Sequence, residues 1–117
     1  MVSSITTIHT TDSYAPNGQV WIAGQIAADV DGNLIKGSMT EQAHQICKNI
    51  DEILKAAGSD LKRTVKVTVF VTDFDQLPEF NAVYNTYFPH KPPRTSVEVS
   101  RLPLDVTAEV DIIAVTK

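Results

Sequence analysis

An arginine that directly follows two prolines is the residue in this sequence best suited to bind an anion. The segment reads Lys-Pro-Pro-Arg-Thr-Ser-Val-Glu-Val-Ser (91 to 100), and Arg94 stands where the prolines end and a predicted strand begins. A guanidinium on a stiff backbone can clamp a carboxylate through two parallel hydrogen bonds. Composition alone favours a surface arginine in a loose ion pair instead. The pattern by itself leaves both interpretations of Arg94 open.

Other common catalytic motifs are absent from the sequence. It contains no G-x-G-x-x-G, no Walker-type loop, no H-E-x-x-H and no C-x-x-C. The three histidines lack the spacing of metal ligands and are interpreted as solvated or structural: His9, His44 and His90. Cys47 and Trp21 are predicted to pack, the thiol on the apolar side of a helix and the indole on a buried strand face. Interpretations as a metal, nucleotide or redox-dithiol site therefore lose support.

The charge balance is acidic, with 14 Asp and Glu against 10 Lys and Arg and a net charge of −4. Phosphate backbones repel such a surface, so nucleic acid is not expected as the main ligand. A single cysteine cannot form an intramolecular disulfide, no apolar run is long enough to cross a bilayer, and no targeting peptide is recognised. We expect a cytosolic protein with no membrane partner and one domain spanning residues 1–117.

Periodicity in the first half of the chain predicts strands followed by a helix. Ser4–His9 and Val20–Gln25 are predicted strands on either side of a turn-rich segment, 11–18. A turn at residues 31–33 is predicted to lead into a short strand at residues 34–35. Ser38 and Glu41 have the spacing of a capping box, which predicts a helix that ends before Gly58.

The second half predicts further strands and a second helix. Residues 64–72 alternate, with Val65, Val67, Val69 and Val71 expected on one face. Asp75 is predicted to cap a helix, and strands are predicted at 95–100 and 106–116. The order β-β-(β)-α-β-α-β-β predicts an α/β (α+β) fold, a mixed sheet with two helices packed on one face. Both faces of the last strand carry apolar residues, which indicates a subunit interface.

Several segments form a combined signature: Ala-Gly-Gln-Ile (23 to 26), Val-Lys-Val-Thr-Val-Phe-Val (65 to 71), Phe-Asn-Ala-Val-Tyr (80 to 84), Pro-Arg-Thr-Ser-Val-Glu-Val (93 to 99), Arg-Leu-Pro (101 to 103) and Ala-Glu-Val-Asp-Ile-Ile-Ala (108 to 114). Together they resemble the RidA/YjgF family of reactive-intermediate deaminases over nearly the whole chain. The resemblance implies a chorismate-mutase-like fold in a homotrimeric, barrel-like assembly with small-molecule clefts between subunits. It also implies hydrolysis of 2-imino acids and their enamine tautomers to 2-oxo acids and ammonia, with neither metal nor cofactor.

The resemblance also assigns roles to residues at matching positions. It implies that Arg94 binds the substrate carboxylate, that the backbone of Ser96 contacts the ligand, and that Glu109 orients or activates the attacking water. Anchoring and water positioning suffice because an iminium carbon is already electrophilic. From the pattern alone, Glu109 could equally be a solvent-facing carboxylate, since Asp111 shares its face of the strand.

Three further residues match positions that line the family's cleft. Asn81 and Tyr14 would contact the ligand, and Gly24 would let the backbone of the second strand approach it. A helix-surface amide and a loop aromatic are the open alternatives for Asn81 and Tyr14.

The chain also departs from the family pattern. Ala23, Ser96 and Ala27 replace the usual Ser, Cys and Pro, and the segment 14–24 is shorter than in typical members. Retention of Arg94 and Glu109 nevertheless favours the deaminase chemistry. One alternative is a non-catalytic small-molecule-binding or chaperone-like trimer. Another is the ribonuclease or translation-inhibitor activity attached to the family, against which the acidic balance and the lack of a paired histidine acid and base weigh.

Overall fold

The structure, a computed structural model, describes residues 13–14 and 17–117. In this part of the chain five strands form one sheet in the order β1-β2-β5-β3-β4. The elements are β1 (Ser13–Tyr14), β2 (Gln19–Gln25), α1 (Met39–Ala56), β3 (Thr64–Val71), α2 (Leu77–Tyr87), β4 (Arg94–Glu98) and β5 (Ala108–Val115). β3 and β4 are parallel, and the other neighbouring pairs are antiparallel. The predicted mixed sheet is confirmed.

The start of the chain matches the prediction only in part. The predicted strand Ser4–His9 lies outside the described residues. Within the predicted turn-rich segment, Ser13–Tyr14 forms the short strand β1 beside β2. Asp29 organises the following turn, because its Oδ1 accepts the amides of Asp31 and Asn33. The strand predicted at residues 34–35 is reduced to one isolated bridge between Leu34 and Ala28.

The predicted capping box of α1 is present. The Ser38 Oγ accepts the Glu41 amide at 3.2 Å, and the Glu41 carboxylate accepts the Ser38 amide at 3.0 Å. At the other end Gly58 adopts φ +81°, which ends the helix as predicted. The buried side of α1 includes Ile46, Cys47 and Ile50. None of the described helices combines the length and the apolarity that a membrane span requires.

The start of α2 corrects the prediction that Asp75 caps this helix. A short 3₁₀ turn, Phe74–Gln76, precedes α2, and Asp73 caps that turn by accepting the Asp75 amide at 2.9 Å. The first residue flanking α2 is Gln76, which makes no side-chain capping bond. The earlier carboxylate, Asp73, is the one that faces the free amides, because the 3₁₀ turn begins at Phe74, one residue before the predicted cap.

The two helices cover one face of the sheet, which we call the helix face. Its core consists of apolar side chains from both layers: Val20, Ile22, Val67, Val69, Val71, Val110, Ile112, Phe80, Val83, Ile46, Ile50 and Leu54. The opposite, open face has no second layer in the described chain. Trp21 lies on this open face with 47% of its surface exposed, so the prediction that it packs on a buried face is wrong for the single chain.

The predicted alternation of β3 also fails at one residue. A register shift between Thr64 and Lys66 turns Val65 outward, where it is 44% exposed, and buries Thr64 at 3%. An extra residue in one strand reverses the side-chain alternation on one side of the irregularity. Val67, Val69 and Val71 remain on the helix face as predicted.

Candidate functional site

Arg94 is the first residue of β4, which lies at one edge of the sheet. The chain is fixed just before it, because the Pro93 carbonyl accepts the Val67 amide at 2.9 Å. Parallel pairing then sets Arg94 beside Val67 and Ser96 beside Val69. Paired residues of neighbouring strands point to the same side of a sheet, so Arg94 and Ser96 share the helix face with these buried valines.

The guanidinium of Arg94 is held by polar groups and by aromatic rings. Its Nε donates to the Ser96 Oγ at 2.9 Å, and its Nη2 donates to the Asn81 Oδ1 at 2.6 Å. Its Cζ lies 4.5 Å from the centre of the Tyr84 ring and 5.7 Å from that of Phe80. A guanidinium carries five N–H groups, so two on Nη1 and one on Nη2 have no partner among the described residues. A carboxylate can accept two parallel N–H groups of a guanidinium, so these groups can bind one.

No anion balances this charge within residues 17–117. Arg94 is half-buried, and none of the salt bridges formed there involves it. Burial lowers the pKa of the Arg94 guanidinium from its ordinary value, while the neighbouring Tyr84 acts in the opposite direction. Arginine stays protonated even so. A partly desolvated cation without a counter-ion is unfavourable, and binding an anion relieves that cost.

A second group of residues lies where β2 meets β5. The pairing of these strands is irregular between Ile22 and Gln25, and within this bulge Gly24 adopts φ +64°. The Gly24 amide donates to the Asp111 Oδ1 at 2.8 Å. A Cβ on Gly24 would stand 3.5 Å from the Glu109 Oε2, so the bulge lies directly against that carboxylate. Gly24, Glu109 and Asp111 therefore form one cluster.

The Glu109 carboxylate is half-buried and accepts no hydrogen bond from the part of the chain beyond residue 16. Burial raises the pKa of Glu109 from its ordinary value, and the negative charge of Asp111 raises it further. A carboxylate with a raised pKa is a stronger proton acceptor, which is the property needed to activate water.

The two groups lie on opposite faces of the sheet. Arg94 on β4 lies beside Val67 of β3, which points to the helix face. Glu109 on β5 lies beside Phe70 of β3, which points to the open face. The single chain thus brings Arg94, Ser96 and Asn81 together, and separately Gly24 and Glu109, but it does not bring the two groups to one point. Tyr14 pairs with Trp21 through the backbone, and its side chain lies outside the described part of the structure.

Sequence reasoning assigns no role at this site to Tyr84 or to Asp111. Tyr84 enters the sequence analysis only as the last residue of the segment Phe-Asn-Ala-Val-Tyr (80 to 84), yet it lies one turn after Asn81 and contacts the same guanidinium. That three-residue spacing on a helix was the available signal. Asp111 was recognised as sharing a face with Glu109, but its bond to the Gly24 amide joins residues 87 positions apart and has no local signal.

A separate groove of about 480 Å³ lies near the start of α1, and its lining contains none of the candidate site residues. Its walls come from the loop after β2, including Ile35, from Gln42 on α1 and from the segment before β5, including Thr107. No trio of His, Cys, Asp or Glu side chains within the described residues is grouped as metal ligands would be.

Comparison with known proteins gives a consistent result. The model of the family described as Endoribonuclease L-PSP matches residues 6–116. A mouse (Mus musculus) protein named 2-iminobutanoate/2-iminopropanoate deaminase is 40% identical over 98 residues, which cover 82% of this chain and 73% of the mouse protein. Protein MMF1, mitochondrial, of Saccharomyces cerevisiae is 42% identical over 102 residues, covering 86% of this chain and 70% of the yeast protein. That relative is named as mitochondrial, and the cytosolic location expected for this chain stays a prediction.

Solved structures agree with the sequence comparison. The crystal structure of Escherichia coli TdcF with bound serine superimposes with a TM-score of 0.84 at 32% identity, covering 91% of this chain and 87% of TdcF. The mixed sheet with two helices thus agrees with the solved structures of this family. This chain belongs to the family described as Endoribonuclease L-PSP, which is the RidA/YjgF family.

Proposed function

We propose that this protein hydrolyses 2-imino acids, and the enamine acids that are their tautomers, to 2-oxo acids and ammonia. Arg94 clamps the substrate carboxylate and Glu109 positions the water. The observation that carries the proposal is the half-buried Arg94 guanidinium, fixed by Ser96 and Asn81 with three N–H groups free and no carboxylate partner in the described chain. The name of the mouse relative supports this substrate class.

The reaction needs little beyond anchoring and proton transfer. The carboxylate of the substrate binds the free end of the Arg94 fork, which fixes the neighbouring C=N carbon. Water adds to that carbon as Glu109 takes one of its protons, and Glu109 then gives this proton to the nitrogen, which forms a tetrahedral carbinolamine. The proton of the new hydroxyl group moves to the nitrogen as the C–N bond breaks, so that ammonia leaves and the C=O bond of a 2-oxo acid forms. Proximity and general base catalysis together can lower such a barrier substantially.

We further propose that the site is completed in a homotrimer, in clefts between neighbouring copies. Arg94 and Glu109 lie on opposite faces of the sheet in one chain, so a second copy is needed to supply the missing half. The open face carries Trp21 at 47% and Val115 at 37% exposure, and covering such side chains favours association. The serine bound to E. coli TdcF, an amino acid with a carboxylate, supports a small-acid ligand.

The test is the rate of 2-oxobutanoate release from imine generated in place by a threonine dehydratase. Wild-type protein is expected to exceed the spontaneous rate, whereas Arg94→Ala and Glu109→Gln are not. Glu52→Gln serves as the matched control, because it removes one negative charge from the exposed side of α1 and should behave as wild type. A wild-type rate equal to the spontaneous one would contradict the proposal.

A non-catalytic small-acid-binding or chaperone-like trimer is the second candidate. The Arg94 clamp is complete on the helix face without Glu109, and this arrangement is all that a binding protein requires. Titration of 2-oxobutanoate into Glu109→Gln separates the two functions when read beside the turnover assay. If the protein is a deaminase, Glu109→Gln binds 2-oxobutanoate but does not hydrolyse the imine. If it is a binding protein, the wild type also fails to hydrolyse the imine. Cleavage of RNA by the same preparations tests the activity that the family's description names.

A further inference from the structure

Asp111 makes one contact beside Glu109 that the proposed chemistry does not yet use. It lies two residues after Glu109 on β5, so both side chains project from the open face. Its Oδ1 accepts the Gly24 amide at 2.8 Å, which fastens the bulge of β2 to β5. Because a Cβ on Gly24 would lie 3.5 Å from the Glu109 Oε2, this bond also sets the backbone that borders the catalytic carboxylate.

The charged groups that face Glu109 in the described structure are few. On β3 the residues turned to this face are Phe70 and Thr68, which are uncharged, and farther along the strand Lys66, whose Nζ donates to the Thr95 Oγ1 at 2.7 Å. The neighbouring part of β2 carries no ionisable side chain. Among the charged side chains of these strands, that of Asp111 is therefore nearest to Glu109.

We propose that Asp111 is the positioning residue for Glu109: its carboxylate holds the Gly24 backbone in place and lies on the same face of β5 as the Glu109 carboxylate, on which its charge acts. The inference rests on the proposed function and extends it, since it names the group that makes Glu109 an effective proton acceptor. In this role Asp111 acts through Glu109 and the Gly24 backbone.

Asparagine at position 111 separates the two parts of this role. Asp111→Asn keeps an oxygen that can accept the Gly24 amide but removes the charge. Asp111→Ala removes both. Because burial and the Asp111 charge both raise the pKa of Glu109, removing the charge lowers that pKa while burial remains. A base with a lower pKa stays deprotonated in more acidic solution, so the acidic limb of the rate profile moves to lower pH.

The experiment is the pH profile of kcat/KM for wild type, Asp111→Asn, Asp111→Ala and the control Glu52→Gln. The acidic limb is expected at lower pH for both Asp111 variants and unchanged for Glu52→Gln. Carbon-13 NMR titration of the Glu109 carboxyl in the same proteins gives a readout that does not depend on turnover, and the same downward shift is expected there. Hydrogen exchange of the Gly24 amide should accelerate in Asp111→Ala and stay slow in Asp111→Asn.

Failure of the inference is distinguishable from failure of the proposed function. A wild-type protein without turnover contradicts the deaminase reaction, while the NMR titration still decides whether Asp111 controls Glu109. An unchanged Glu109 titration in Asp111→Asn overturns the inference even if the wild type is active. If Asp111→Asn does not fold, Asp111→Ser, which carries a shorter neutral acceptor, provides the same comparison.

Discussion

Replacing Arg94 by lysine keeps the positive charge of the clamp but removes its planar fork of donors. In the structure two guanidinium N–H groups are already engaged, one with Ser96 and one with Asn81, and three remain. A lysine ammonium has three donors in all. If it satisfies Ser96 and Asn81, it keeps one donor for the substrate carboxylate where arginine offers a parallel pair.

The expected loss of ligand affinity follows from the number of hydrogen-bond donors that lysine lacks. One hydrogen bond to a charged group contributes about 1.5–3 kcal/mol, and each 1.4 kcal/mol is about tenfold in affinity. Arg94→Lys is therefore expected to bind 2-oxobutanoate roughly 10- to 150-fold more weakly than wild type. Isothermal titration calorimetry with 2-oxobutanoate, the stable product, measures this without any reaction.

Arg63→Lys is the matched control, because Arg63 is an exposed arginine paired with Asp60 at 3.9 Å, away from both residue groups. It should bind the ligand as wild type does. Equal affinity of Arg94→Lys and wild type would mean that the charge alone holds the ligand, and the argument from the free end of the fork would be wrong.

Three other substitutions or reagents test separate features of the structure. Glu109→Gln should gain stability relative to wild type as pH rises. A carboxyl whose pKa is raised in the folded state stabilises the fold when it is protonated and loses that contribution when it ionises. Urea unfolding at acidic and at neutral pH measures the direction of this difference in the free energy of unfolding. Gly24→Ala should lower the free energy of unfolding by about 1–2 kcal/mol, because the backbone of Gly24 is left-handed, and it should also weaken ligand binding. Gly32→Ala is the control, because Gly32 has φ +85° but no neighbour within 4 Å. It should lose stability in urea unfolding and keep wild-type affinity in calorimetry. Burial raises the pKa of Cys47 to about 12, so its thiol should react with a disulfide reagent only as fast as the protein unfolds.

Local patterns in the sequence predicted the elements well where short-range chemistry decides them. The Ser38–Glu41 spacing gave the start of α1, and the alternation after residue 66 gave the buried face of β3. Two residues apart on one strand, Arg94 and Ser96 necessarily share a face, and the structure adds the bond between them. Each of these relations spans only a few residues, which is why the sequence alone suffices.

The features that were missed depend on tertiary structure or on competition between similar residues. The register shift before Lys66, which exposes Val65, comes from pairing with β5 and has no local marker. The choice of Asp73 over Asp75 as a cap depends on a 3₁₀ turn that the pattern did not distinguish from the helix. The contact of Gly24 with Asp111 and the placement of Arg94 over Tyr84 follow from how the elements pack.

The division of the site between two faces leads to a sharper test of where catalysis occurs. If a cleft uses Arg94 from one copy and Glu109 from its neighbour, two inactive variants can restore each other. Arg94→Ala retains Glu109, and Glu109→Gln retains Arg94. In an equal mixture refolded together, half of the copies supply an intact arginine and half supply an intact glutamate, so about a quarter of the clefts regain both.

The mixture should therefore recover about a quarter of the wild-type rate in the 2-oxobutanoate assay, although each variant alone is inactive. As a control, Arg94→Ala refolded with the double variant Arg94→Ala, Glu109→Gln should recover nothing, because no cleft then contains an arginine. Absence of recovery in the first mixture, with wild type refolding to full activity, would mean that Arg94 and Glu109 do not meet across a subunit boundary. Since the strand register sends these two side chains to opposite faces of one sheet, that result would also remove Glu109 from the reaction at the Arg94 clamp.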